Sequence, residues 1–121
     1  MSAKPNKRDE AILYATSKDG VHWEKPELGL VEFGGNKRNN IVVRGPSGAG
    51  VYKDPHEKNP VRRYKAFYAA KVGYMQLIRI SPDGLNWGPE IRCPDIAIQS
   101  DCHANMVWSP ELQRYVGIVR H

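Results

Sequence analysis

Apolar and polar positions alternate in short blocks along this chain. Apolar, β-branched and aromatic runs ("AILYAT", "VHW", "NNIVV", "GVYK", "YKAFYAA", "YMQLIRI", "LNW", "HANMVW" and "RYVGIVR") are separated by "KDG", "GGN", "GPSGAG", "NP", "PDG" and "SPE". The separators are the Gly, Pro, Asn and Asp clusters that make tight turns, and the runs have the length and composition of strands. No long window keeps a 3.6-residue apolar period free of Pro or Gly, so no amphipathic helix is expected. The weakest strand assignment is "PDIAIQSDCHANM", which has room for a single helical turn. The pattern predicts an all-β fold.

Two motifs recur. "SKDGVHW", Ser17 to Trp23, returns 64 residues later as "SPDGLNW", Ser81 to Trp87. In both, Asp-Gly supplies the positive φ of a tight hairpin turn. The Trp is expected on the outgoing strand, as a structural anchor. Arg63-Tyr64 opens "RYKAFYA" and Arg114-Tyr115 opens "RYVGIVR", 51 residues apart, each after a turn containing proline. Four antiparallel strands repeating at this interval predict propeller blades, whose repeats run to about 40–50 residues. Naming the strands of a blade A to D from the centre outward, "AILYAT" and "VHWEK" are C and D of a first blade. "GVYKD", "YKAFYAA", "YMQLIRI" and "LNWGPEI" form a second, whole blade. "HANMVW" and "RYVGIVR" are A and B of a third. The expected architecture is a half blade, a full blade and a half blade, about eight strands in all. It makes one partial-propeller domain over residues 1–121, with residues 1–12 a flexible N-terminal segment.

Composition narrows the function classes. At 40% hydrophobic and 26% charged residues, the chain suits a folded globular domain. No apolar run approaches the roughly 18 residues of a membrane span, and "MSAKPNKRDE" lacks an apolar signal core, so a cytoplasmic location is the default and no membrane partner is expected. The net charge of +5 comes from dispersed Lys and Arg with no nucleic-acid motif, which argues for a solvated basic surface rather than a nucleic-acid partner. Cys93 and Cys102, nine residues apart, match no zinc or redox spacing and are read as reduced. The four histidines form no ligand cluster. Neither a metal nor a cofactor is expected.

"GVYKDP" and "SDC", with "YATSKDGVHWEKPELGLVEFGGNKRNNIVV", "RYKAFY" and "SPDGLNW", resemble the five-bladed propeller enzymes of glycoside hydrolase families 32 and 43. The closest likeness is to family-32-like bacterial proteins of unknown substrate. The resemblance runs from about Tyr14 to the end of the chain. It implies that Asp54 of Lys53-Asp54-Pro55 stands where the family's Arg-Asp-Pro motif has its transition-state-stabilising Asp, with Lys replacing Arg. It implies that Asp101 of Asp101-Cys102 stands where a Glu-Cys pair supplies the general acid, with Asp replacing Glu. The family's nucleophile lies on an earlier blade whose inner strand is not among these 121 residues. Asp54 and Asp101 are therefore the candidate catalytic carboxylates, for chemistry that needs two carboxyl groups about 5–9 Å apart across one glycosidic bond. Lys53, His56, His103 and Asn105 are candidates for hydrogen bonding to sugar hydroxyls. Read from the residues alone, capping of the turns before Pro55 and His103 is the favoured role of Asp54 and Asp101, and it is the resemblance that favours a site.

The expected function is a carbohydrate-binding module derived from a glycoside-hydrolase-like propeller, with weak or no glycosidase activity because the nucleophile's blade is missing. The alternatives are a non-catalytic interaction protein and a basic nucleic-acid-binding β domain. The two half blades leave complementary open edges, which predicts a homo-oligomer, with a trimer of six blades as its simplest closed form.

Overall fold

The computed structural model describes residues 10–46, 48–70, 75–98, 100 and 103–120. Among them the regular structure is all-β and antiparallel, with ten strands and one 3-10 turn at Pro60–Arg62. The strands lie in small sheets, and the described residues form no closed ring of blades. Ten strands replace the expected eight because "AILYAT" is divided at Tyr14–Ala15 into two short strands and Ile41–Arg44, outside the blade count, forms another. Asp101 and Cys102 lie outside the described residues, as do residues 1–9 of the expected flexible segment. That segment's boundary moves, because Ala11 and Ile12 already belong to the first strand. The chain divides into two compact units after Gly45.

The first unit contains β1 (Ala11–Leu13), β2 (Thr16–Ser17), β3 (Trp23–Glu24) and β4 (Ile41–Arg44). β2 pairs with β3 across the Asp-Gly turn, as the sequence predicts. β1, however, pairs with β4. The run "NNIVV", which the blade count left out, thus supplies the partner of "AIL". Its Ile41, Val42 and Val43 are the buried apolar residues of this unit. Between Leu13 and β4 the contact continues through the Tyr14 amide to the Asn40 carbonyl, 2.8 Å, and the Asn40 side-chain amide to the Tyr14 carbonyl, 2.6 Å.

The second unit contains β5 (Gly50–Lys53), β6 (Tyr64–Ala69), β7 (Gln76–Ser81) and β8 (Ile91–Cys93), hydrogen-bonded in that order, then the hairpin β9 (Asn105–Ser109) and β10 (Arg114–Ile118). Ala66, Phe67, Tyr68, Leu77 and Ala104 form its apolar core. β6 and β7 are the buried centre of the four-stranded sheet. The expected outgoing strand "LNWGPEI" is corrected: pairing with β7 begins only at Ile91, and Trp87 stands before the strand. The reason lies in the turn, whose hydrogen bonds extend through Trp87.

The repeated turn has the same construction in both units. The Ser17 hydroxyl accepts from the Gly20 amide at 2.8 Å, and one Asp19 oxygen accepts from the Val21 and His22 amides, each at 2.8 Å. Ser81 and Asp83 do the same for Gly84, at 2.9 Å, and for Leu85 and Asn86, each at 2.8 Å. Each indole then donates back to the glycine carbonyl, Trp23 to Gly20 at 3.2 Å and Trp87 to Gly84 at 3.0 Å. The glycines hold φ of +78° and +77°, which L side chains rarely adopt. The indoles are equivalent in their bonding but not in their burial: Trp23 is 58% exposed, whereas Trp87 is half-buried.

β9–β10 repeats β5–β6 residue for residue. Trp108 faces Tyr115 where Lys53 faces Tyr64, and Asn105 faces Ile118 where Gly50 faces Phe67. Both inner strands end on an X-Pro turn, Asp54-Pro55 and Ser109-Pro110. β5 and β9 run side by side in the same direction, through a parallel bridge between Ala49 and Ala104 and a 3.0 Å bond from the Ala104 amide to the Gly48 carbonyl. Gly50 permits this approach, since a Cβ there would collide with the Ala104 carbonyl and the Asn105 side chain.

Candidate functional site

Asp54 follows β5 directly, and its amide donates to the Arg63 carbonyl at 2.8 Å, closing the ladder with β6. The Pro-bearing turn that follows folds back on it: the His56 amide donates to Asp54 Oδ1 at 2.9 Å. The residue is 2% exposed. Its second oxygen receives two donors, Lys65 Nζ at 3.0 Å and the Tyr115 hydroxyl at 2.6 Å. Lys65 comes from β6 and is 3% exposed. Its ammonium also donates to Glu57 Oε2 at 3.1 Å and to the Arg62 carbonyl at 2.9 Å, so three N–H groups meet three acceptors. The ammonium also lies 5.3 Å from the centre of the Tyr115 ring. Glu57 accepts further from the Asn59 amide and the Arg62 guanidinium.

Burial by itself would raise the Asp54 carboxyl. The hydrogen bonds from Tyr115, Lys65 and the His56 amide outweigh it and hold the group below the usual carboxylate range. Burial likewise opposes the Lys65 charge, but its bonds to Asp54 and Glu57 keep the ammonium above its ordinary value. The Tyr115 hydroxyl is pushed up, first by burial and then by donating to Asp54. The pair is therefore an ionised, hydrogen-bonded carboxylate and ammonium at neutral pH.

Above this network lies an open cleft of about 510 Å³, lined by His56, Glu57, Lys58, Trp108, Pro110, Gln113 and Tyr115. Trp108 and Tyr115 meet edge to face, with centroids 4.9 Å apart at 72°, and the His56 ring stands 6.4 Å from Trp108. Trp108 and Tyr115 are cross-strand partners in β9–β10, so strand register sets their contact. Gln113, at φ 52°, shapes the rim and donates from its side-chain amide to the Pro110 carbonyl at 2.6 Å.

The described residues among those proposed from sequence lie in two places. Lys53, Asp54 and His56 lie at the end of β5. Lys53 is exposed, 5.8 Å over the Tyr64 ring, and His56 is on the cleft wall. His103 and Asn105 lie at the beginning of β9, beside Gly50, and both are exposed. Because β5 and β9 are parallel, four residues of strand separate that end from Asp54, or about 13 Å at the ordinary rise. The expected partner carboxylate, Asp101, lies outside the described residues. Asp54 occupies the place in its hairpin that Ser109 occupies in the next, which makes it a turn residue with a buried ionic role. Among the described residues no cluster of three or more His, Cys, Asp or Glu is placed to hold a metal. Cys93 is a free thiol in β8, its pKa raised by burial.

Sequence reasoning missed Lys65, Glu57, Trp108 and Tyr115. One signal was available: Lys65 interrupts the apolar run "YKAFYAA" at a strand position, and a cation there needs a carboxylate. Comparison with protein-family models, curated proteins and solved structures finds no match.

Proposed function

We propose that this chain is a carbohydrate-binding segment of a glycoside-hydrolase-like β-propeller, and that it binds sugar without cleaving it. The observation that supports this most is the open aromatic cleft of Trp108, Tyr115 and His56, rimmed by Glu57, Lys58 and Gln113. Flat aromatic faces beside a few donors and acceptors suit a pyranose, whose C–H faces are apolar and whose edges carry hydroxyls. Asp54 and Lys65 serve from beneath, fixing the Tyr115 ring through its hydroxyl. The propeller reading draws on the four-stranded antiparallel sheet, its partial repeat in β9–β10 and the parallel neighbours β5 and β9.

Binding is favoured over hydrolysis because glycoside cleavage needs carboxyl groups free to face the scissile bond. Asp54 is held ionised and both its oxygens already accept hydrogen bonds. The test is a glycan array followed by titration calorimetry with wild type, Trp108→Ala and Tyr115→Phe. The expected result is a bound glycan whose affinity falls at least tenfold in Trp108→Ala, falls less in Tyr115→Phe, which keeps the ring but frees it from Asp54, and is accompanied by no released sugar. A wild-type chain that binds no glycan, or a Trp108→Ala chain that binds as well as wild type, rejects the reading.

A further inference from the structure

The four-stranded sheet shows which edges the shorter sheets lack. β6 is paired on both sides, with β5 and β7, whereas among the described residues β10, its counterpart in register, pairs only with β9. Antiparallel ladders alternate, so successive residues turn their N–H and C=O to opposite edges. The Arg63 carbonyl faces β5, which turns Tyr64, Ala66 and Tyr68 toward β7. In β10 the same alternation turns Tyr115 and Gly117 away from β9.

The β1–β2 segment stands to β7 as β10 stands to β6. It runs into the Ser17 turn as β7 runs into the Ser81 turn. The Glu10 carbonyl and the Tyr14 amide face β4, so Leu13, Ala15 and Ser17 face the opposite edge, where no strand lies among the described residues. In β7 the corresponding edge, at Leu77, Arg79 and Ser81, is the one that binds β6.

Burial of matched positions points the same way. Phe67 of β6 and Leu77 of β7 are 3% and 7% exposed in the complete sheet. Their counterparts, Ile118 of β10 and Leu13 of β1, are 67% and 60% exposed. These apolar side chains repeat, without its cover, a pattern that is buried in the complete sheet.

We propose that β10 of one copy pairs with residues 13–17 of a second copy as adjacent antiparallel strands. The register follows from Tyr64↔Ser81, Lys65↔Ile80, Ala66↔Arg79 and Phe67↔Ile78 in the complete sheet. It sets Tyr115 opposite Ser17, Val116 opposite Thr16, Gly117 opposite Ala15, and Ile118 opposite Tyr14. The partner is a second copy because this chain carries both complementary edges, each without a strand on the required side among the described residues. The contact is heterologous, so each copy uses one edge to give and the other to receive.

The register makes Val116 and Thr16 a non-hydrogen-bonded pair, with Cα atoms about 4.5 Å apart, within reach of a disulfide. Thr16→Cys chains are mixed with Val116→Cys chains under mild oxidation, and the linked peptides are mapped. Thr16→Cys mixed with Ile118→Cys is the out-of-register control. A link between positions 16 and 116 in good yield, with several-fold less in the control, is expected. Light scattering of the wild-type chain at micromolar concentration should give at least twice the 13.7 kDa of one chain. Ala15→Pro removes a donor from the open edge and leaves β2–β3 intact, so it should return the mass to that of one chain. A single-chain mass for the wild type, or equal linking in the control, overturns the proposal.

Discussion

Replacing Lys65 by Met removes the charge that balances Asp54 while keeping a side chain of similar length. Both groups are almost inaccessible to water, at 3% and 2% exposure, so solvent does little to screen the loss. Breaking a buried ion pair on one side costs about 3–5 kcal/mol, because the remaining charge is left uncompensated. Asp54 keeps the Tyr115 hydroxyl and the His56 amide, which places the expected loss at the low end, about 3 kcal/mol. That is a large share of the 5–15 kcal/mol typical of a folded domain, and it corresponds to a fall of about 1–3 M in the urea midpoint. Asp54→Asn with Lys65→Met removes both charges and should recover more than half of the loss. The pH dependence gives a second check. In the wild type the Asp54 pKa is depressed on folding, so its contribution is present above the unfolded value of about 3.9 and is lost as pH falls through the lower folded value. In Lys65→Met burial is opposed only by the Tyr115 hydroxyl and the His56 amide, so the folded pKa rises from its wild-type position. The variant then loses less of this contribution than wild type as pH falls, and the gap to wild type should narrow between pH 7 and pH 4. Urea unfolding followed by circular dichroism at both pH values measures this. A loss under about 1 kcal/mol, the worth of an exposed pair, with no change of the gap between the two pH values, would refute the buried-pair reasoning.

Tyr115→Phe deletes the 2.6 Å bond to Asp54 and should cost about 1.5–3 kcal/mol in urea unfolding, as expected for a hydrogen bond to a charged group; no loss would mean that the bond is not formed in solution. Gly50→Ala places a methyl group against the Ala104 carbonyl and Asn105, and should lower stability by about 1–3 kcal/mol through forced separation of β5 and β9; an unchanged thermal midpoint would show that the two strands have room to part. Trp23→Ala should stay within about 0.5 kcal/mol of wild type, since the indole is mostly in solvent, while Trp87→Ala should cost clearly more; equal losses in thermal unfolding would contradict the difference in burial.

What the sequence determined by itself is local. The Ser-x-Asp-Gly turns were legible because every hydrogen bond that builds them spans at most three residues. The all-β character, the hairpins β5–β6 and β9–β10, and the Arg-Tyr correspondence between β6 and β10 were legible because alternation and turn residues act over short windows. Tertiary structure decided which strand fills the outgoing position. Trp87 is consumed by its own turn, so Ile91 begins the pairing with β7, and Ile41–Arg44 returns across a long excursion to pair with β1. It also decided the chemistry around Asp54. Sequence placed this residue beside Pro55 and left open whether it capped a turn or faced a sugar. The fold brings Tyr115 to it from 61 residues away and Lys65 from the next strand, turning a turn aspartate into half of a buried ion pair. Finally, the parallel course of β5 and β9 separated Lys53 and His56 from His103 and Asn105. Residues drawn together by motif were parted by strand direction, which emerges only when two segments distant in sequence lie side by side.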